Sequence, residues 1–166
     1  MLRKKIDNRK KEGKMHTKIP HTIKRILIIS GMWKYYIRFI DKNTIFKLDK
    51  NLPWGGFCIC GDKRPRRICV KKYRAAECGG SHMLAAIITA IHIVHELGHC
   101  RAYYESRGRD SSERSANELV LQYFINLSKR LKNPPFTLKI INKKKNIWYV
   151  RFNVNIKERR KTCLTK

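Results

Sequence analysis

The stretch "AIITAIHIVHELGHCRAYYESRGRDSSERSANELV" (residues 86–120) decides how this chain is interpreted. It places His95, Glu96 and His99 in the middle of an apolar segment of helical length. Buried imidazole and carboxylate groups cost several kcal/mol unless a partner satisfies them. A divalent metal ion would satisfy all three side chains, so the segment predicts a metal site.

The spacing of these three residues has a mechanical meaning. His95 and His99 are four residues apart, so on an α-helix they lie one turn apart on one face. Both imidazoles can then reach one zinc ion at roughly 2.0–2.1 Å. Glu96 lies about 100° around the helix, beside the metal, where a carboxylate can deprotonate water whose pKa the metal lowers to near 7. This HExxH pattern predicts a Zn²⁺ cofactor with Glu96 as the general base.

The third zinc ligand is open on spacing alone. Glu105 is discounted, because six further residues of helix rotate it about 240° away from His99. Glu113 begins a second predicted helix, and Glu118 lies deeper in that helix, where counting along an antiparallel pair places it level with His99. Asp110 and Glu113 also form a capping-box pattern, so capping the second helix is an alternative role for Glu113.

Two motifs together resemble a known family. HELGH is followed by a helix that opens with E-x-x-A-N, and this combination resembles the ImmA/IrrE family of zinc metallopeptidases over about residues 82–125. The chain has "ELVLQYF" where the family usually has Phe-Ala and a Leu-rich stretch, and no helix-turn-helix module precedes the motif. The matching residues are His95, Glu96, Leu97, Gly98, His99, Glu113, Ala116 and Asn117.

The resemblance implies a set of roles. His95, His99 and Glu113 would bind zinc, Glu96 would be the general base, and Asn117 would orient a ligand histidine. It also implies a protein or peptide substrate, and the family's known substrates include transcriptional regulators that repress genes.

Other side chains on the first helix are candidates of lower rank. His92 stands one turn before His95 and could contact substrate or orient a ligand, although a partly buried histidine without a role is the simpler interpretation. Tyr103 and Tyr104 could stabilise an oxyanion, but packing against the second helix is the better explanation for either one.

The cysteines suggest a second metal. Cys58, Cys60, Cys69 and Cys78 form a C-x-C-x8-C-x8-C series whose thiolates could hold a structural zinc ion. Ordinary core thiols are the alternative, because buried cysteine is common in strands. Cys100 follows His99 and is expected to serve packing.

The remaining patterns predict an α+β domain with a zincin-like arrangement. A small antiparallel or mixed sheet would pack on the HExxH helix and on a second, ligand-bearing helix. A basic flexible arm (1–22) precedes one domain (23–166), with short strands over 23–74, where "YYIRFI" and "TIFKL" would form a hairpin. The helices are expected at about 82–105 and 112–131, and a C-terminal hairpin at about 136–156.

The charge suggests a second kind of partner. The 166 residues carry 39 Lys and Arg against 12 Asp and Glu, a net charge of +27. Such a field attracts nucleic acid without sequence preference. No long uncharged apolar run indicates a membrane span, and without a signal peptide the six cysteines point to a cytoplasmic protein with reduced thiols.

The sequence therefore predicts a zinc-dependent endopeptidase that hydrolyses a protein substrate with water activated by the metal and Glu96. An edge strand within residues 57–72 would pair with extended substrate. The alternative is a basic, nucleic-acid-associated protein in which the zinc is structural or the protease acts on DNA-bound partners.

Overall fold

The computed structural model describes residues 19–53, 55–110, 112–142, 144 and 147–153. Five strands and four α-helices lie in these ranges, with one 3-10 turn at Ala75–Cys78, so the predicted α+β class is confirmed. The elements in chain order are α1 His21–Ile29, α2 Trp33–Phe39, β1 Ile45–Asp49, β2 Gly56–Cys60, β3 Pro65–Lys71, α3 His82–Glu105, α4 Glu113–Arg130, β4 Phe136–Asn142 and β5 Ile147–Phe152.

Helix α3 is the centre of the molecule. It begins after two glycines with positive φ, and the Ser81 hydroxyl caps it by accepting a hydrogen bond from the Leu84 amide at 3.1 Å. Its length and composition would also allow it to cross a membrane, but 67% of its apolar window is buried inside the protein, as in the core helix of a globular domain. The predicted helix at 82–105 is confirmed.

Helices α3 and α4 form an antiparallel pair. Gly98 of α3 lies against the backbone of Ala116, and the Tyr123 hydroxyl of α4 donates to the Ile87 carbonyl at 3.1 Å. A later residue of α4 contacts an earlier residue of α3, so the two helices are antiparallel, as the sequence predicted. Glu113, at the start of α4, therefore lies beside the second half of α3.

The main sheet is mixed and has the order β1-β3-β2. β1 runs parallel to β3, and β2 pairs with β3 in antiparallel register. β2 is thus an edge strand, and β3 is central. Cys58 of β2 and the apolar residues Phe46, Ile68 and Val70 pack in the core around α3.

The prediction of strands at the start of the domain was wrong for residues 23–40, where the chain forms α1, a short turn and α2. The expected hairpin of "YYIRFI" and "TIFKL" is instead α2 followed by β1, whose partner is β3. Ile26 and Leu27 lie three and four residues after Ile23, and all three side chains are buried in the core, which is the pattern of one helix face.

The side chains of α4 also hold the end of α1. Asn126 donates to the Ser30 carbonyl at 2.7 Å, and Arg130 donates to the Ile29 carbonyl at 2.7 Å. Carbonyls at a helix C-terminus have no partner within the helix. Tertiary hydrogen bonds thus satisfy the carbonyl groups at the end of α1. They stabilise a helix in a segment whose local propensity favours strands.

The C-terminal hairpin forms as predicted, from β4 and β5 in antiparallel register. Trp148, Val150 and Phe152 alternate with exposed residues and pack toward Phe124 of α4. Val154 and Ile156, expected on the same face, lie outside the described residues. So does most of the predicted arm, of which residues 21 and 22 begin α1.

Candidate metal centre

Three predicted ligands converge at one point between α3 and α4. The Nε2 atoms of His95 and His99 are 3.1 Å apart. Glu113 Oε2 lies 3.1 Å from His95 Nε2, and Glu113 Oε1 lies 3.2 Å from His99 Nε2. Two imidazole nitrogens and a carboxylate aimed at one small volume form a group that could hold a metal ion.

The helix pair creates this arrangement. The four-residue spacing puts both histidines on one face of α3, with their rings 4.7 Å apart and nearly perpendicular. Glu113 is the first residue of α4, directly after its N-cap Ser112, whose hydroxyl accepts from the Ser115 amide at 3.3 Å. The expected capping role therefore belongs to Ser112, and the Glu113 carboxylate is directed at the histidines.

The surroundings favour the form of histidine that binds metal. Burial lowers the pKa of His95, and the neighbouring His99 lowers it further, while Glu113 and Asn117 act in the opposite direction. A neutral imidazole is the form that coordinates an ion. A side-chain hydrogen bond joins Asn117 to the His95 ring, and through this contact Asn117 could orient the ring.

The site opens to solvent on one side. The side chain of Glu113 is 75% exposed, whereas those of His95 and His99 are 22% and 17% exposed. A cavity of about 470 Å³ reaches the three side chains and is also lined by Glu96 and Tyr103. A small molecule or an extended chain can therefore approach the group.

Glu96 is buried beside the three converging side chains. Glu96 is only 5% exposed. Burial raises the pKa of its carboxyl group to about 7, and the charge of the nearby Glu113 contributes to this increase. β2 passes close to it: a Cβ atom on Gly56 would lie 3.1 Å from Glu96 Oε1 and 2.8 Å from the Cys69 carbonyl oxygen. Glycine at this position lets the edge strand approach the carboxylate.

The competing carboxylates lie elsewhere. Glu118 pairs with Arg114 at 3.6 Å, and Glu105 pairs with Arg38 at 3.2 Å. Neither belongs to the group that could hold an ion with His95 and His99.

The three candidates of lower rank, His92, Tyr103 and Tyr104, have different surroundings. His92 stacks on Tyr73 and lines an apolar cavity, and burial lowers its pKa to about 4. The Tyr104 hydroxyl is engaged with Gly61, to whose carbonyl it donates at 2.9 Å. Tyr103 alone of the two tyrosines lines the cavity at the histidines.

The cysteine series does not gather as predicted. Cys69 stands opposite Phe57 in the ladder, so it faces away from Cys58, and Cys78 packs with Leu84 in a separate cluster. Cys58 and Cys60 instead meet Cys100, with Cys58 Sγ 3.8 Å from Cys60 Sγ and 3.1 Å from Cys100 Sγ.

Sequence reasoning missed Cys100, which it assigned to packing. Cys100 lies one turn after Glu96, and its thiol meets β2 only because α3 packs on that strand. The spacing of residues in the sequence contains no signal for this contact. The contact with Cys100 and burial raise the pKa of the Cys58 thiol, and burial raises the pKa of the Cys60 thiol to about 12, which favours the neutral form of these two side chains.

Comparison of the chain with protein-family models, with curated proteins and with solved structures finds no match.

Proposed function

We propose that the protein is a zinc-dependent endopeptidase with a zincin-like arrangement, of the kind that the ImmA/IrrE resemblance suggests. The observation that carries the proposal is the convergence of His95, His99 and Glu113 beside the buried carboxylate of Glu96. A structural metal site has no need of such a carboxylate or of an open cavity.

The donor set fits zinc. Imidazole nitrogen and carboxylate oxygen are both zinc ligands, and two histidines with one glutamate leave a fourth position open, as catalytic zinc sites require. When bound, zinc would polarise a peptide carbonyl and acidify water. His95, His99 and Glu113 would hold the ion, and the hydrogen bond between His95 and Asn117 would fix that ring.

Glu96 would move the protons. Its carboxylate would accept a proton from the attacking water and pass it to the amine that leaves. Its pKa of about 7 is near the pH at which accepting and releasing a proton are both easy. A bound cation would lower this pKa and favour the accepting form.

The substrate would be an extended peptide held against β2. Among the described residues β2 is an edge strand, and it lies close to Glu96, so its backbone groups that do not bond to β3 can pair with another chain. The range 57–72, in which we expected the substrate-binding edge strand, includes parts of β2 and β3. Of these two strands only β2 lies at an edge of the sheet, because β3 lies in the middle. An adjoining cavity of about 580 Å³, lined by Ile88, Val120 and Trp148 among others, would receive an apolar side chain.

Proline on β2 tests this mode of binding. The Lys71 amide donates to the Gly55 carbonyl, so in the alternating antiparallel ladder Phe57 and Ile59 bond to β3, whereas the Cys58 amide faces the free edge. We expect Cys58→Pro to reduce cleavage relative to the control Cys58→Ser, while zinc content stays at the level of the unchanged protein. Equal activity of the two variants would exclude β2 as the substrate-binding strand.

The function itself is tested by metal content and hydrolysis together. Purified protein should carry close to one zinc per chain; Glu113→Ala should lose it, and Glu118→Ala should keep it. Glu96→Gln should keep zinc and lose peptide hydrolysis, because the amide cannot accept the proton. Absence of zinc after reconstitution, or full hydrolysis by Glu96→Gln, would contradict the proposal.

The net charge of +27 supports a second candidate, a nucleic-acid-associated role. In that case the metal would be structural, or the protease would act on partners bound to DNA, such as transcriptional regulators. Glu96→Gln distinguishes these cases, because a purely structural site does not depend on the carboxylate. Either role would be carried out in the cytoplasm.

A further inference from the structure

Three thiols form a second cluster next to the candidate zinc centre. Cys58, Cys60 and Cys100 have their sulfur atoms within 4.8 Å of one another, and none of them is in a disulfide. The sulfur atoms of Cys58 and Cys100 are 3.1 Å apart, well beyond the disulfide bond length of about 2.05 Å.

Two elements hold the cluster in place. Cys58 and Cys60 are two residues apart on β2, so both point to the same face of the strand, toward α3. Cys100 comes from α3 and is fully buried. Tyr104, one turn further, fixes the end of β2, because its hydroxyl donates to the Gly61 carbonyl and accepts from the Gly61 amide at 3.2 Å.

We propose that Cys58, Cys60 and Cys100 form a second metal site, selective for Cu(I). Thiolate sulfur is the ligand that Cu(I) prefers, and Cu(I) accepts three such ligands. A structural zinc site needs a fourth protein ligand, and among the described residues the group contains only three. On binding, the thiols release their protons to solvent, and no electron is transferred.

An ion can reach this site without passing through the core. Cys58 and Cys60 line the same cavity of about 470 Å³ that reaches His95 and Glu113. The donor atoms of the two centres are nevertheless different, three sulfurs in one and two nitrogens with a carboxylate in the other. Loading of the thiol site therefore does not depend on the proposed peptidase function.

The test measures copper bound per chain under anaerobic conditions. Full-length protein competes for Cu(I) with a coloured chelator, and ultraviolet absorption from sulfur-to-copper charge transfer reports thiolate ligation. We expect one Cu(I) per chain in the unchanged protein and in Glu113→Ala. Cys58→Ser and Cys60→Ser should each weaken binding at least about 100-fold, while Cys69→Ser should bind as the unchanged protein does.

Several results would overturn the proposal. Equal copper binding in Cys58→Ser and the unchanged protein would do so, as would loss of copper in Glu113→Ala. Absence of copper from fully reduced, folded protein would have the same meaning, with folding checked by circular dichroism. Cys60, which is partly exposed, serves as the second variant if replacing Cys58 prevents folding.

Discussion

At the scale of single residues, Glu96 gives the metal-free protein a distinct pH dependence. Its pKa in the folded protein is raised from 4.5 to about 7, so the folded state binds a proton that the unfolded state has already released. The stability of the metal-free protein should therefore fall as pH rises from about 4.5 to 7. The full contribution is about 3 kcal/mol, at about 1.4 kcal/mol for each pKa unit.

Urea unfolding of chelator-treated protein checks this dependence. The difference in unfolding free energy between Glu96→Gln and the unchanged protein should increase, in favour of the variant, between pH 5 and pH 8. Taking the difference removes the titration of groups that do not interact with Glu96. A difference that stays constant across this range would show that Glu96 is not held in its neutral form.

Gly98 sets the distance between the two helices of the site. A Cβ atom there would lie 2.7 Å from Ala116 Cα and 3.0 Å from the Ala116 carbonyl oxygen, and both are backbone atoms that cannot move aside alone. Helix propensity would make Gly98→Ala stabilising by up to about 1 kcal/mol. Overpacking costs about 1–3 kcal/mol and should prevail.

We therefore expect Gly98→Ala to lower the unfolding free energy and to weaken zinc binding, since α4 carries Glu113 away from the histidines. Thermal unfolding and zinc titration measure the two effects. Increased stability with unchanged zinc affinity would show that the helices have room at this contact.

At the scale of elements, the two helix caps offer a matched pair of substitutions. Ser112 caps α4 and Ser81 caps α3, each by accepting a backbone hydrogen bond. Replacing either serine by alanine should cost about 1 kcal/mol of stability. Only Ser112→Ala should also weaken zinc binding, by up to about 5-fold, because Glu113 follows it directly.

Zinc titration beside urea unfolding separates the two roles. Ser81→Ala is the control, because His82 begins α3 far from His95 along the helix. An equal loss of zinc affinity in both variants would mean that the metal centre responds to general stability rather than to the position of Glu113.

The sequence predicted the elements whose periodicity and boundaries agree. α3 and α4 have serine caps, α3 follows Gly79 and Gly80, the segment "NPP" follows α4, and β5 alternates cleanly. α1 and α2 were wrongly predicted because isoleucines and aromatic residues favour strands locally, whereas packing against α3 and α4 decides their structure. The core spacing of Ile23, Ile26 and Leu27 was the overlooked signal.

Only part of the candidate metal centre can be predicted from the spacing of residues in the sequence. One helix carries His95, Glu96 and His99, so their proximity follows from spacing alone. Choosing between Glu113 and Glu118 needs the offset between two helices, and that offset depends on the contact between Gly98 and Ala116. Cys100 meets Cys58 only through packing of α3 on β2, which no spacing in the chain encodes.

At the scale of the whole molecule, the net charge of +27 predicts binding to polyanions. Duplex DNA of arbitrary sequence should bind at low salt, and the affinity should fall about 10³-fold between about 50 and 200 mM salt. Fluorescence anisotropy measures this loss. Glu96→Gln should bind DNA equally well, because the carboxylate is buried. No binding even at low salt would remove nucleic acid from the candidate partners.

The division of the candidate metal ligands between α3 and α4 has a consequence for folding. An ion held by His99 and Glu113 would close the chain into a small ring through the short connection at 106–112. Short rings remove little entropy from the unfolded chain, so the ion would act mainly by binding the folded form. The ion would be a crosslink that a chelator removes, whereas a disulfide is removed by a reductant. The stabilisation that the ion gives would increase with the concentration of free metal.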